Sequence, residues 1–250
     1  MNTPFVVLRR RVELHILVIM QTISTTQSLP RGKAGTKKYS AWRKNHFFWG
    51  STAMLVLAVI GFSDNLFFDL GQESNSDPKF IIHGLFFLAW FVVLVIQSGF
   101  IRQGNYKAHM RWGIVGMLIG VGVVLSTFYV FVAVYKGWSV MPFYVKANRF
   151  YTVTFAVLLW LAWRNRKNGV KHKRYLYMGT LYTLGPVLDR VAPKIGIDSF
   201  WGTVWMEVLI WNTLFLGLFL YDWRTLKRIH PISWIGVLWF YIVLTLVQVL

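Results

Sequence analysis

Hydrophobic residues occur along this chain in long runs, separated by short polar and basic stretches. A helix that crosses a membrane needs about 20 mostly apolar residues, and runs of roughly that length recur from residue 47 to residue 250. The pattern predicts an all-α integral membrane bundle of about seven transmembrane helices. The predicted spans are 47–68, 80–101, 112–135, 143–163, 174–191, 200–221 and 232–250. The fifth has the shortest apolar run and contains Pro186, which membrane helices tolerate where neighbours satisfy the freed carbonyl.

Composition favours a membrane protein and excludes several kinds of chemistry. Apolar residues make up 56% of the chain and charged residues only 14%, whereas a soluble domain carries about 25% charged residues. The mean hydropathy is +0.48. There is no cysteine, so disulfides, iron–sulfur clusters, thiolate metal sites and cysteine nucleophiles are excluded.

Lysine and arginine predict the orientation. Most of the 27 basic residues fall in the N-terminal tail and in the loops after the second, fourth and sixth spans. Loops rich in Lys and Arg stay in the cytoplasm, so the N-terminus is predicted to be cytoplasmic. Residues 1–45 then form a basic, flexible tail, and residues 46–250 form a single transmembrane domain. Because the basic residues lie at span ends, we assign the net charge of +18 to anionic lipids and not to nucleic acid.

Polar residues inside the spans predict a ligand or proton site in the outer half of the bundle. Ionisable groups are costly in lipid, so each is a functional candidate. His83, Trp90 and Gln97 recur every seven residues and therefore share one helix face, and Glu207 lies about two turns into its span. The predicted site residues are His83, Trp90, Gln97, Arg149, Asp189, Arg190 and Glu207. Structural ion pairs that hold the bundle together are the alternative for the same residues.

Other polar residues mark the cytoplasmic ends of the spans. The predicted contacts with lipid headgroups are Lys171, His172, Lys173 and Arg174. A metal site formed by His109, His230 and Asp222 is an alternative use of these ends, although no helical ligand spacing supports it.

Three glycines share one face of the third span, where they allow close approach of another helix. These are Gly113, Gly116 and Gly120. Packing within the chain is one use of this face, and a homo- or hetero-oligomer interface is another.

Several short motifs occur between about residues 80 and 235. They are His83-Gly84 with Trp90 and Gln97, Gly104 with His109 and Gly113, His172-Lys173-Arg174, and Tyr221-Asp222 with Arg224 and His230-Pro231. Together they resemble a group of uncharacterised bacterial multi-pass membrane proteins. That resemblance implies a bacterial inner-membrane protein and brings no activity with it.

The alternation of His83 and His109 on neighbouring spans is also similar to cytochrome b561-like proteins, which hold b-type haem between histidines of adjacent helices. The chain departs from that family because these two histidines lie at opposite membrane faces, whereas haem needs two at one depth.

Three functions remain open at this point. The first is transport of a small solute or ion linked to protons, in which Glu207 takes up the proton, His83 is its partner, and Arg190 or Arg149 holds an anionic ligand. The second is a membrane-embedded oxidoreductase that depends on haem or a metal. The third is an accessory or scaffold subunit of a larger assembly. Against transport, the sequence has no evident broken helix and no repeat halves.

Overall fold

The computed structural model describes residues 36–68 and 71–250, with side chains described from residue 45. Residues 41–250 form one compact unit. The described residues contain helices and no strand, so the all-α prediction is confirmed. The helices are α1 Thr36–Gly61, α2 Ser63–Leu66, α3 Glu73–Ser76, α4 Pro78–Gln103, α5 Tyr106–Ala133, α6 Phe143–Arg164, α7 Gly169–Tyr182, α8 Gly185–Lys194, α9 Phe200–Leu226 and α10 Pro231–Val249.

Four of the described helices are long and apolar enough to cross a membrane. They are α4, α5, α9 and α10, and α1 adds a shorter apolar stretch, Asn45–Gly61. The length and apolar composition of these helices favour a membrane protein, as the sequence predicts. The predicted boundary between tail and bundle at residue 45 falls inside α1, and residues 1–35 of the predicted tail lie outside the described residues.

The predicted fifth span is wrong as a single helix. The structure divides it into α7, which ends at Tyr182, and α8, which begins at Gly185. The cause is Pro186, because a proline has no N–H to donate and its ring clashes with the carbonyl four residues earlier, here that of Tyr182. The chain therefore has a broken helix that the sequence analysis did not anticipate.

Two carbonyls at this break accept side-chain donors as well as backbone N–H groups. The Trp211 indole Nε1 donates to the Leu181 carbonyl at 3.1 Å, and the Thr183 hydroxyl donates to the Thr180 carbonyl at 2.8 Å. The Leu184 and Thr183 N–H groups donate to the same two carbonyls. Because an unpaired carbonyl in an apolar interior is costly, this pairing helps the bundle to tolerate the break.

The broken helix lies in the core. Every residue of 177–184 is buried. The Tyr182 hydroxyl donates to the Gly236 carbonyl at 2.7 Å, and the Tyr151 hydroxyl donates to the Phe240 carbonyl at 2.8 Å. The rings of Tyr151, Tyr182 and Phe240 stack within 14° of parallel. These contacts bind α6, α7 and α10 into one packed group.

The glycine face of α5 is occupied within the chain. Gly116 and Gly120 are buried. A Cβ on Gly116 would lie 3.5 Å from Val93 of α4, and one on Gly120 would lie 2.9 Å from the Trp90 ring. Gly116 and Gly120 therefore serve a helix contact inside the bundle. The homo- or hetero-oligomer predicted through Gly113, Gly116 and Gly120 stays a prediction.

We expect Gly120→Ala to lower the free energy of unfolding by about 1–3 kcal/mol, the usual cost of overpacking a tight contact. The added methyl would meet Trp90 at 2.9 Å and Leu159 at 3.0 Å. Gly84→Ala is the control, because nothing lies within 4 Å of its Cβ position. It should be neutral or stabilising by about 0.5–1 kcal/mol. Unfolding in mixed detergent micelles measures both, and equal stability of the two variants would contradict the close contact.

Candidate functional site

Two acidic side chains meet between α8 and α9. The carboxyl groups of Asp189 and Glu207 lie within hydrogen-bond reach of each other. Glu207 is half-buried, and its Oε1 is enclosed with no hydrogen-bond partner among the described residues. Because an ionised carboxylate can only accept hydrogen bonds, a bond between two carboxyl groups requires a proton on one of them. The pair is therefore able to share a proton.

Arg190 places a positive charge beside this pair. It neighbours Asp189 on α8, and its charge also interacts with Asp64. Its Nη1 donates to the Pro186 carbonyl at 3.0 Å, and the guanidinium lies 4.8 Å from the centre of the Phe62 ring. The guanidinium is thus held between the first turn of α8 and Phe62, the residue that follows α1.

An ion pair between Lys194 and Asp64 joins α8 to α2. Lys194 Nζ donates to Asp64 Oδ2 at 2.9 Å, and this bond holds the pKa of the Asp64 carboxyl below its usual range. Both side chains are about one-third exposed, so the pair contributes at most about 1 kcal/mol. The pair links the C-terminal end of α8 to α2.

His83 faces the same region from α4. Its Nδ1 lies 3.2 Å from the Ser126 hydroxyl, and its ring packs edge-on against Phe87 at 4.8 Å. The positive charge of Arg190 is close enough to interact electrostatically with the His83 ring. Of the predicted site residues, the structure therefore brings together Asp189, Arg190 and Glu207, with His83 within electrostatic reach of Arg190.

Trp90 and Gln97 do not join this group. Trp90 is 1% exposed, and its Nε1 donates to the Thr180 hydroxyl at 3.2 Å. A step of seven residues moves about 10 Å along a helix, so residues that share one face of α4 lie at different depths. The predicted stripe exists as a helix face and spans too much depth to be one site.

Arg149 is also placed elsewhere. Its Nη2 donates to the Phe131 carbonyl at 3.2 Å, its Nε contacts the Met141 sulfur at 3.2 Å, and its guanidinium lies 4.6 Å from the Phe131 ring centre. These contacts seat Arg149 against the C-terminal end of α5. Arg149 therefore does not belong to the predicted outer site.

The predicted headgroup contact of Arg174 is wrong. Arg174 is 1% exposed and forms an ion pair with Asp222, which is fully buried. The Arg174 Nε donates to Asp222 Oδ1 at 2.9 Å, while Asp222 Oδ2 accepts from the Ser233 hydroxyl at 2.7 Å and the His230 N–H at 2.9 Å. One buried carboxylate thus joins α7, α9 and the start of α10.

Helical periodicity in the sequence could have predicted that Arg174 is buried. Arg174 stands four residues before Met178 and seven before Leu181, which places it on the buried face of α7. The other three residues predicted to contact headgroups are placed differently from Arg174. Lys171 is exposed, so its headgroup contact stays a prediction. Lys173 donates to the Tyr221 hydroxyl, and His172 is half-buried.

The predicted metal set of His109, His230 and Asp222 is not brought together. Asp222 is engaged by Arg174, and the His230 Nδ1 accepts from the Ile232 N–H at 3.1 Å, capping α10. Burial, reinforced by the charge of Arg174, lowers the pKa of His230. His109 instead packs near His172. Within the described residues, no group of three or more His, Asp or Glu side chains could hold a metal ion.

The arrangement at α8 and α9 can exchange a proton for a ligand. Two carboxyl groups in contact cannot both ionise easily, so a cationic or hydrogen-bond-donating group that arrives can replace the shared proton, and Arg190 can hold an anionic group of the same molecule. Comparisons of the chain with protein-family models, with curated proteins and with solved structures find no match.

Proposed function

We propose that the chain is a proton-linked transporter of a small solute in a bacterial inner membrane. In this proposal seven spans cross the membrane and the N-terminus is cytoplasmic. The spans are α1, α4, α5, α6, α7 together with α8, α9 and α10. The four apolar helices and the concentration of Lys and Arg in alternate loops support this topology.

The observation that carries the proposal is a carboxyl pair on a broken helix. Asp189 lies on α8, directly beyond the break, and meets Glu207 of the continuous helix α9. In many transporters, discontinuous helices lie at the substrate site because their interrupted backbone can line a cavity. A proton site on such a helix couples protonation of the site to movement of the helix segment that carries it.

The proposed cycle uses the shared proton as the coupled ion. With the proton in place, Asp189 and Glu207 hold each other, and α8 stays against α9. Loss of the proton leaves two like charges in contact, which repel and favour movement of α8 away from α9. Arg190 and His83 line the same region and would contact the solute, with Arg190 selecting an anionic group.

We expect Glu207→Gln to abolish proton-driven current while the protein still folds. Gln keeps the size of Glu and cannot release a proton. Purified protein in liposomes on a solid-supported membrane would be challenged, under an inward proton gradient, with pools of amino acids, carboxylates, sugars and inorganic ions. At least one pool should give a current with the unmodified chain, and none should with Glu207→Gln.

Glu73→Gln is the matched control. Its side chain is 76% exposed at the start of α3, so the current should persist. A current that survives in Glu207→Gln, or an unmodified chain that responds to none of the pools, would contradict the proposal.

A further inference from the structure

Three polar atoms are buried without a partner near the facing ends of α4 and α5. They are Nε2 and Oε1 of Gln97 and Nδ1 of His109, and none of them has a hydrogen-bond partner among the described residues. An unsatisfied buried polar atom costs about 1–3 kcal/mol. Native structures rarely leave such atoms unpaired unless water, an ion or a ligand meets them. Three in one place indicate an occupant.

These atoms belong to one cluster. The His109 ring lies close to the backbone of Gln97. Gly113 is one turn beyond His109 on the same face of α5, and its Cβ position is 3.8 Å from the Gln97 Oε1. The ring of His172, from the start of α7, lies 6.3 Å from the ring of His109, at 83° to it. Residues from three helices therefore converge.

Each imidazole has one ring nitrogen available to a ligand. The His172 Nδ1 lies 2.9 Å from the Ala162 carbonyl, which fixes its proton on that nitrogen and leaves a lone pair on Nε2. The His109 Nδ1 is buried and unpaired, so it is the nitrogen that is open to a ligand. A histidine whose other nitrogen is bonded to a carbonyl is the usual form of a metal ligand.

We propose that His109, His172 and Gln97 bind one copper ion, independently of the proton site. The His109 Nδ1 and the His172 Nε2 would bind on opposite sides, and the Gln97 Oε1 would be a third ligand. The cluster has only two histidines, so it is a smaller ligand set than the group of three that is absent from the described residues.

The distance between the His109 and His172 rings favours copper over zinc. With metal–nitrogen bonds of about 2.0 Å and ring centres about 1.1 Å behind the nitrogens, opposed imidazoles have centres roughly 6.3 Å apart and tetrahedral ones roughly 5 Å. The observed 6.3 Å matches the opposed arrangement. Zinc prefers the tetrahedral one, whereas copper accepts tetragonal ligands and binds nitrogen sites more tightly than the other first-row divalent ions.

The test is copper binding by the purified full chain. Metal-free protein in detergent is titrated with Cu²⁺, and bound copper is measured by elemental analysis after gel filtration. We expect one tightly bound ion per chain, with two imidazole nitrogens coupled to it in the electron paramagnetic resonance spectrum. His109→Asn and His172→Asn should each weaken binding at least about tenfold, since even outer-shell changes at metal sites cost about 10–100-fold.

His230→Asn is the control, because His230 is another histidine beside a helix start, and Asn still caps α10. Its copper binding should equal that of the unmodified chain. Copper that remains in the His109→Asn/His172→Asn double variant, or that is lost in His230→Asn, would overturn the proposal, as would an unmodified chain that binds none.

Gln97→Leu keeps the test decisive if a histidine variant fails to fold. Leucine removes both unpaired amide atoms, so the copper-free protein should melt at a higher temperature than the unmodified chain. Its copper affinity should fall because the third ligand is gone. A lower melting temperature with unchanged copper affinity would show that the amide has partners of another kind and would overturn its assigned role.

Discussion

Replacement of Asp222 by alanine is expected to lower the free energy of unfolding by about 3–5 kcal/mol, the usual cost of removing one partner from a buried ion pair. Arg174 would be left 1% exposed with no carboxylate to neutralise it. The Ser233 hydroxyl and the His230 N–H would lose the same acceptor. The end of α9, the start of α7 and the start of α10 would therefore separate together.

Reversible unfolding in mixed detergent micelles measures this loss. In the double variant Arg174→Met/Asp222→Leu the loss should be much smaller, because an apolar pair of similar size needs no compensating charge. Lys171→Ala is the control on the same helix, since Lys171 is exposed and should change stability little. A cost below about 1 kcal/mol for Asp222→Ala would mean that the pair is solvated and not buried.

Phe240→Ala is expected to cost about 3 kcal/mol. Phe240 is 1% exposed, and its ring lies 4.9 Å from Trp211, 5.2 Å from Tyr151 and 5.3 Å from Phe215, measured between ring centres. Large-to-small core changes at Phe cost about 3–5 kcal/mol. In a membrane the lower end applies, because lipid is as apolar as the core and only the lost packing counts.

Leu238→Ala is the matched control for this change. Leu238 lies two residues away on α10 and is 52% exposed, so lipid can fill the space that its side chain leaves. The two variants are compared in the same micelle unfolding assay. If they lost equal stability, α10 would not pack against α6 and α9 through Phe240.

The long helices were predictable from the sequence because their signals are local. Apolar runs and the basic residues that end them gave 80–101 for Pro78–Gln103 and 143–163 for Phe143–Arg164. The break at Pro186 was not predictable in the same way. A proline in a membrane helix either kinks it or divides it, and the surroundings of the break here include residues such as Trp211, which lies far away in sequence.

The site was predictable only where depth in the membrane could be read from the sequence. Asp189 and Glu207 lie similar distances from the loop that joins their helices, so their meeting followed from the topology. The stripe of His83, Trp90 and Gln97 misled because sharing a face says nothing about sharing a depth. The Arg174–Asp222 pair was missed because a run of basic residues at a span end looks like a headgroup contact until helical periodicity is applied to each residue.

The shared proton of Asp189 and Glu207 is the centre of this account, and infrared difference spectroscopy of the protein in lipid tests it most directly. Between acidic and alkaline pH, the carbonyl-stretch band of a protonated carboxylic acid should appear, shift in D₂O, and vanish in both Glu207→Gln and Asp189→Asn. Glu73→Gln should leave the band unchanged. A spectrum without this band, or a band that persists in both carboxyl variants, would contradict the shared proton and with it the proposed coupling.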